Sequence, residues 1–199
     1  YARVGMDRAL DGRADEAVAF LRGPRAAVPA LSADATWAPL LRASGVALRG
    51  MSQFPEALAD LQRAVELAPG DVETRIDLGN LQLQLGKAED ARRTFVEAQR
   101  LDPASAQAAN GLGRALVATG QLAAGIVAYR RATELQPRYL APRNNLGLAL
   151  AALGHPGEAA DVFREVTALD PTYLRGWLNL GNALLDLERW TDAELSLRL

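Results

Sequence analysis

Few residues in this 199-residue chain have the type and spacing to do chemistry. The sole histidine, His155, stands between Gly154 and Pro156, with no second histidine to complete a metal site or a proton relay. It reads as a surface turn residue. Gly111-Leu112-Gly113 begins like a dinucleotide loop but lacks the third glycine and a preceding strand, and the stretch from Gly79 to Gly86-Lys87 has the wrong spacing for a phosphate loop. Glu89, Asp90, Asp161 and Glu165 are flanked by Arg92, Arg93 and Arg164 at distances that suit ordinary pairing on a solvated helix face. Nothing locates a carboxylate pair in a pocket, so catalysis by this chain is not expected, and no cofactor or metal is implied. The absence of cysteine excludes thiolate zinc sites, disulfides and a cysteine nucleophile.

Amides and guanidinium groups recur along the chain at helical spacing. Asn110 and Arg114 stand four residues apart, Asn145 follows, and Arg175 and Asn179 are again four apart. Asn80 and Asn182 each come directly after a glycine. Residues four apart share one face of a helix. Amide groups offer both a donor and an acceptor, and guanidinium groups pair with carboxylates. Ile76, Leu83, Leu148, Leu178 and Leu185 fall near the same helical faces.

The elements that must position these groups are set by a repeat. Gly45, Gly79, Gly113, Gly147 and Gly181 recur every 34 residues, and Pro69, Pro103, Pro137 and Pro171 keep the same interval. Leu78, Leu112, Leu146 and Leu180 precede four of the glycines. Twelve residues after each glycine comes a small residue (Ala57, Ala91, Gly125, Ala159, Ala193), and four further on a large one (Leu61, Phe95, Tyr129, Phe163, Leu197). The period predicts a helix, a short turn, a second helix and a stop. Proline lacks an amide hydrogen and clashes with the preceding turn, so it ends the second helix. Gly86, Gly120 and Gly154 end first helices, where a left-handed residue costs least. One helix pair cannot bury its apolar face alone, so the pairs must stack.

This pattern resembles the tetratricopeptide repeat family, whose aromatic, Leu-Gly, Ala, aromatic and Pro positions are matched by Trp177, Leu180-Gly181 and Ala193 and by their counterparts in other repeats. The resemblance implies an all-α, right-handed superhelical solenoid of antiparallel helix pairs, about six in number. Five units are expected at 38–71, 72–105, 106–139, 140–173 and 174–199. An irregular helix pair is expected over 1–22, with a joint at 23–37 carrying Pro24, Pro29 and Ser32. Tyr1 falls in the slot of Trp177 and Leu199 inside a second helix, so the first and last units are read as incomplete. Ser44, Gly125 and Val166 depart from the pattern and are expected to weaken packing locally.

Family members line their inner surface with first helices and often bind peptides there. The resemblance therefore makes Asn80, Asn110, Arg114, Asn145, Arg175, Asn179 and Asn182 the candidate peptide-binding set, in a groove of mixed apolar and polar character with Ile76, Leu83, Leu148, Leu178 and Leu185. Those that clamp a C-terminal carboxylate place lysine or arginine and asparagine on successive first helices, but the charged residues here occupy different slots. Asn145 and Asn179 are also similar to the asparagine row in the repeat arm of the O-linked N-acetylglucosamine transferases. The resemblance implies a protein–protein interaction module binding an extended segment in its concave groove. The alternative is the substrate-recognition arm of a larger enzyme, such as a glycosyltransferase, hydroxylase or sulfotransferase.

The bulk numbers agree with a protein or peptide partner. A hydrophobic content of 49% supplies a core, and a formal charge of −2 gives no drive toward nucleic acid or an anionic membrane. No run of about 18 apolar residues predicts insertion into a membrane, and a cytoplasmic location is expected. Self-association through Trp190, Leu195 and Leu199 of the last helix is a further expectation.

Overall fold

The computed structural model describes residues 35–198. A 3₁₀ turn, Ala35–Trp37, leads into ten α-helices among the described residues: α1 (Ala38–Gly50), α2 (Phe54–Leu67), α3 (Val72–Gln84), α4 (Ala88–Leu101), α5 (Ala106–Ala118), α6 (Leu122–Leu135), α7 (Leu140–Ala152), α8 (Pro156–Leu169), α9 (Leu174–Asp186) and α10 (Trp190–Leu197). The helix pair expected over 1–22, most of the joint at 23–37, and Leu199 lie outside the described residues. The chain divides into two compact units, Tyr1–Asp102 and Pro103–Leu199. The described part of the first holds α1–α4; the second holds α5–α10. Within each, consecutive helices pack as antiparallel pairs that stack on the next pair, an all-α solenoid.

Local signals set the helix ends. Asp71 caps α3 by accepting from the Glu73 amide, and Ser105 caps α5 by accepting from the Ala108 amide. Second helices stop at Leu67, Leu101, Leu135 and Leu169, two residues before Pro69, Pro103, Pro137 and Pro171. The turns after α3, α5 and α7 pass through Gly86, Gly120 and Gly154 at φ +72°, +80° and +86°. The equivalent turns after α1 and α9 take the same conformation with Ser52 (φ 60°) and Glu188 (φ 58°), where a Cβ is strained.

Packing turns on a glycine set against a large side chain. A methyl group at Gly79 would come within 2.7 Å of the Phe95 ring, at Gly113 within 2.5 Å of Tyr129, at Gly147 within 2.6 Å of Phe163 and at Gly181 within 2.7 Å of Leu197. The missing Cβ is what lets the paired helices close over the ring or, at Gly181, over the leucine side chain. In the second unit Tyr129, Leu146, Leu150, Phe163, Leu180 and Leu184 form a continuous core. In the first, Leu48, Leu61, Leu78 and Leu81 do so, with Trp37, Leu40, Leu41 and Ala64 beside them.

The three departures from the repeat each meet a compensating neighbour, where loosened packing was expected. Ser44 donates to Asp60 at 2.7 Å, both buried. Gly125 makes room for Val117, whose Cγ2 lies 2.7 Å from where an alanine methyl would stand. Val166, larger than the alanine of other repeats, lies 3.0 Å from the position of an absent Cβ on Gly176 in the following helix.

Candidate functional site

In the second unit the first helices approach one another, α5 to α7 and α7 to α9, more closely than the second helices do. The pairs therefore fan outward from the first helices, which form the inner face of that unit. Because neighbouring first helices are slightly staggered, facing residues are 35 apart in sequence, one more than the repeat. Asn145 Nδ2 donates to Asn110 Oδ1 at 3.1 Å, and one pair further on Asn179 Nδ2 donates to Asn144 Oδ1 at 2.8 Å. In the first unit the same slots hold a charged contact: Arg42 Nε donates to Asp77 Oδ2 at 2.7 Å and its Nη2 reaches Glu73 at 3.4 Å. Burial works to lower the Arg42 pKa, but the hydrogen bond and charge of Asp77, with Asp71 and Glu73, hold it above its ordinary value.

These bridges change what the candidate residues are. Asn110 is 7% exposed, and its carboxamide oxygen is engaged by Asn145, so it faces its neighbour helix more than a ligand. Asn144, absent from the sequence-derived set, is its counterpart one repeat later, 8% exposed. Asn145 and Asn179 are half-buried; each has one N–H in the bridge, and among the described residues the second N–H and the carboxamide oxygen have no partner. Arg114, Arg175 and Asn182 are exposed on α5, α9 and α9, while Asn80 is half-buried on α3 of the first unit. The set is thus shared between the units: Asn110, Arg114, Asn145, Arg175, Asn179 and Asn182 belong to the second. Of the apolar groups, Leu148 and Leu178 are exposed, Leu83 and Leu185 half-buried, and Ile76 is core.

A cleft of about 190 Å³ opens beside Asn145. Its walls are Val117 of α5, Leu122 and Tyr129 of α6, and Leu148, Ala149 and Ala152 of α7. Tyr129 is 3% exposed. Burial pushes its phenol up to about 12, with the nearby charge of Arg114 pulling the other way. The hydroxyl therefore stays protonated, and a donor, at any physiological pH.

The inner face also has a charge bias. On α5, α7 and α9 the ionised residues are Arg114, Arg143, Arg175 and Asp186. Arg143 is held by Glu165 at 3.0 Å and by the Pro137 carbonyl, as Trp177 Nε1 donates to the Pro171 carbonyl at 2.9 Å. On the second helices acids pair with bases in series: Arg92 with Glu89 at 2.6 Å, Arg93 with Asp90 at 2.5 Å, and Arg164 with Asp161. His155 precedes α8, half-exposed, with Nδ1 3.4 Å from Glu158 Oε1. Trp190 and Leu195 of α10 are 64% and 71% exposed. Among the described residues no helix is long and apolar enough to cross a membrane.

Sequence reasoning missed Asn144 and the hydroxyl of Tyr129. The first was legible as an asparagine 35 residues before Asn179, repeating the interval from Asn110 to Asn145; the second as the one tyrosine in a slot otherwise held by Phe or Leu.

Three family models, each described as a tetratricopeptide repeat or TPR repeat, match residues 48–114, 113–154 and 144–199. No protein of curated function matches the sequence. Similar solved structures include MamA (25% identity, TM-score 0.70, 77% of this chain and 90% of that one). YrrB, described as a TPR protein with an unusual peptide-binding site, is 24% identical with a TM-score of 0.63 over 79% of this chain and 81% of its own. A thermophilic TPR protein of Thermus thermophilus, TTC0263, is 24% identical with a TM-score of 0.67 over 80% and 87%. At these identities the likeness shows the shared fold.

Proposed function

Since the chain belongs to the tetratricopeptide repeat family, we propose that it is a protein-interaction module whose second unit holds an extended peptide segment along α5, α7 and α9. The observation that carries this is the identical posture of Asn145 and Asn179 on adjacent first helices, each bridged on one side and with a donor and an acceptor left over. One carboxamide offering both an N–H and a carbonyl oxygen matches one peptide unit. Helices that pack about 8–10 Å apart would bring the two amides to peptide units about three residues apart on an extended chain advancing about 3.3 Å per residue. The bridges hold the side chains in place before a ligand arrives, so little rotamer entropy is lost on binding. Arg114, Arg175 and Asn182 border the same face and supply donors at its margins. The peptide-binding site of YrrB, a structure of the same fold, is consistent with this use.

The test is a random-peptide display selection against the whole chain, followed by affinity measurement on the selected peptides. Asn179→Ala should weaken them about 5- to 10-fold, the worth of one net hydrogen-bonded contact, while Arg131→Ala on the second helix α6 leaves them unchanged. Equal loss in both variants, or loss in neither, moves the contact off the first helices.

A further inference from the structure

Tyr129 does two jobs where its counterparts do one. Phe95 presses the tip of its ring, Cζ, against Gly79 and Phe163 turns Cε1 and Cζ to Gly147, while Tyr129 passes Gly113 with the Cδ1–Cε1 edge of its ring, 2.5–2.6 Å from where a Cβ would stand. Tyr129 is also one of the residues that wall the cleft. The residue as a whole is only 3% exposed. Among the described residues no hydrogen bond engages the hydroxyl, and no buried polar atom is left without a partner, so the oxygen of this cleft-lining residue is unpaired yet not sealed from solvent. Phenylalanine fills this slot at positions 95 and 163, so packing alone does not call for the hydroxyl.

We infer that this cleft is a side-chain subsite of the peptide groove that selects a residue with an aliphatic stem and an oxygen acceptor at its tip, glutamine or glutamate. It rests on the peptide-binding reading above and names what that groove prefers at one position. Val117, Leu122, Leu148, Ala149 and Ala152 cover the stem, and the Tyr129 hydroxyl donates to the terminal oxygen. Asn145 at the rim holds the backbone of the same residue. Basic side chains are disfavoured because Arg114 places positive potential at that point. A purely aliphatic side chain fills the space but strands the hydroxyl away from water, a cost of the order of a hydrogen bond.

Four blocked pentapeptides, Ac-Ala-Ala-Xaa-Ala-Ala-NH2 with Xaa Gln, Glu, Leu or Lys, would be titrated into the isotope-labelled full chain and followed by amide chemical shifts. The Gln or Glu peptide should shift resonances around 129 and 145–152 and bind about 5-fold more tightly than Leu, with Lys weakest. Tyr129→Phe should erase that advantage without loss of the folded spectrum. Arg114→Gln tells the two acceptors apart, lowering affinity for Glu more than for Gln. Leu binding as tightly as Gln and Glu, or an advantage that survives Tyr129→Phe, overturns the subsite while leaving the groove. Absence of shifts on α5, α7 and α9 with every peptide overturns the groove reading as well.

Discussion

The two units solve one problem with different chemistry. Each must join neighbouring first helices at slots 35 residues apart; the first uses Arg42 against Asp77 and Glu73, the second uses Asn110–Asn145 and Asn144–Asn179. A guanidinium facing two carboxylates directs its donors at the charges of the unit itself. A carboxamide uses one N–H and keeps another donor and an acceptor. The amide bridge therefore fixes the inner face with hydrogen-bonding groups to spare, whereas the charged bridge mainly fixes it. The cleft lies in the unit that uses amides.

The packing beneath the bridges is common to both, which sets the largest expected effect. Phe95→Ala in the first unit and Phe163→Ala in the second each remove a side chain no more than 1% exposed from against a repeat glycine. Each should cost about 3–5 kcal/mol, read as lost amide protection in hydrogen exchange across the helices of that unit. A much smaller loss in either would mean that the glycine contact does not organise that unit.

A smaller effect distinguishes the units by pH. The Tyr129 phenol is raised from 10 to about 12 in the fold. A folded pKa above the unfolded one means that the unfolded chain gives up its proton first, so this contribution to stability is complete below pH 10 and disappears as pH rises to about 12. Protection of α5–α8 should fall through that window more than protection of α1–α4, and Tyr129→Phe should flatten the difference. An identical alkaline loss in that variant would assign the effect to other groups.

Breaking the bridges themselves tests the comparison directly. Asn179→Ala leaves the oxygen of Asn144, a residue 8% exposed, without its donor, at about 1–2 kcal/mol. Asp77→Ala leaves Arg42 one-third exposed, still near Glu73 and within reach of water, so about 0–1 kcal/mol is expected. Added salt should shrink the second effect and spare the first. The reverse pattern would make the charged bridge the stronger one.

The repeat, its helices and their ends were legible because glycine, proline and the large residue after them are each forced by backbone or packing. The bridges were not, since they lie one residue out of register with that repeat. Pairing Asn145 with Asn179 follows the sequence period, while the contact joins Asn144 to Asn179. Stagger between stacked helices is a property of the assembled pairs, and no single helix encodes it. Tyr129 was hidden differently: its role as a large packing residue accounts for the ring and says nothing of the oxygen.

The last expected change is a small gain, and it should be the same in both units. Ser52 after α1 and Glu188 after α9 sit at φ 60° and 58° where Gly86, Gly120 and Gly154 occupy the equivalent turns. An L side chain there costs about 1–2 kcal/mol, and glycine returns some of that through the greater freedom of its unfolded chain. Ser52→Gly and Glu188→Gly should therefore each stabilise their unit by about 0.5–1 kcal/mol, seen as a higher urea midpoint with an unchanged slope. Neither turn touches the inner-face bridges, so peptide affinity should not move. A gain at Glu188 that also altered binding would couple this turn to the groove; a loss at either position would show that its side chain makes a contact worth more than the strain.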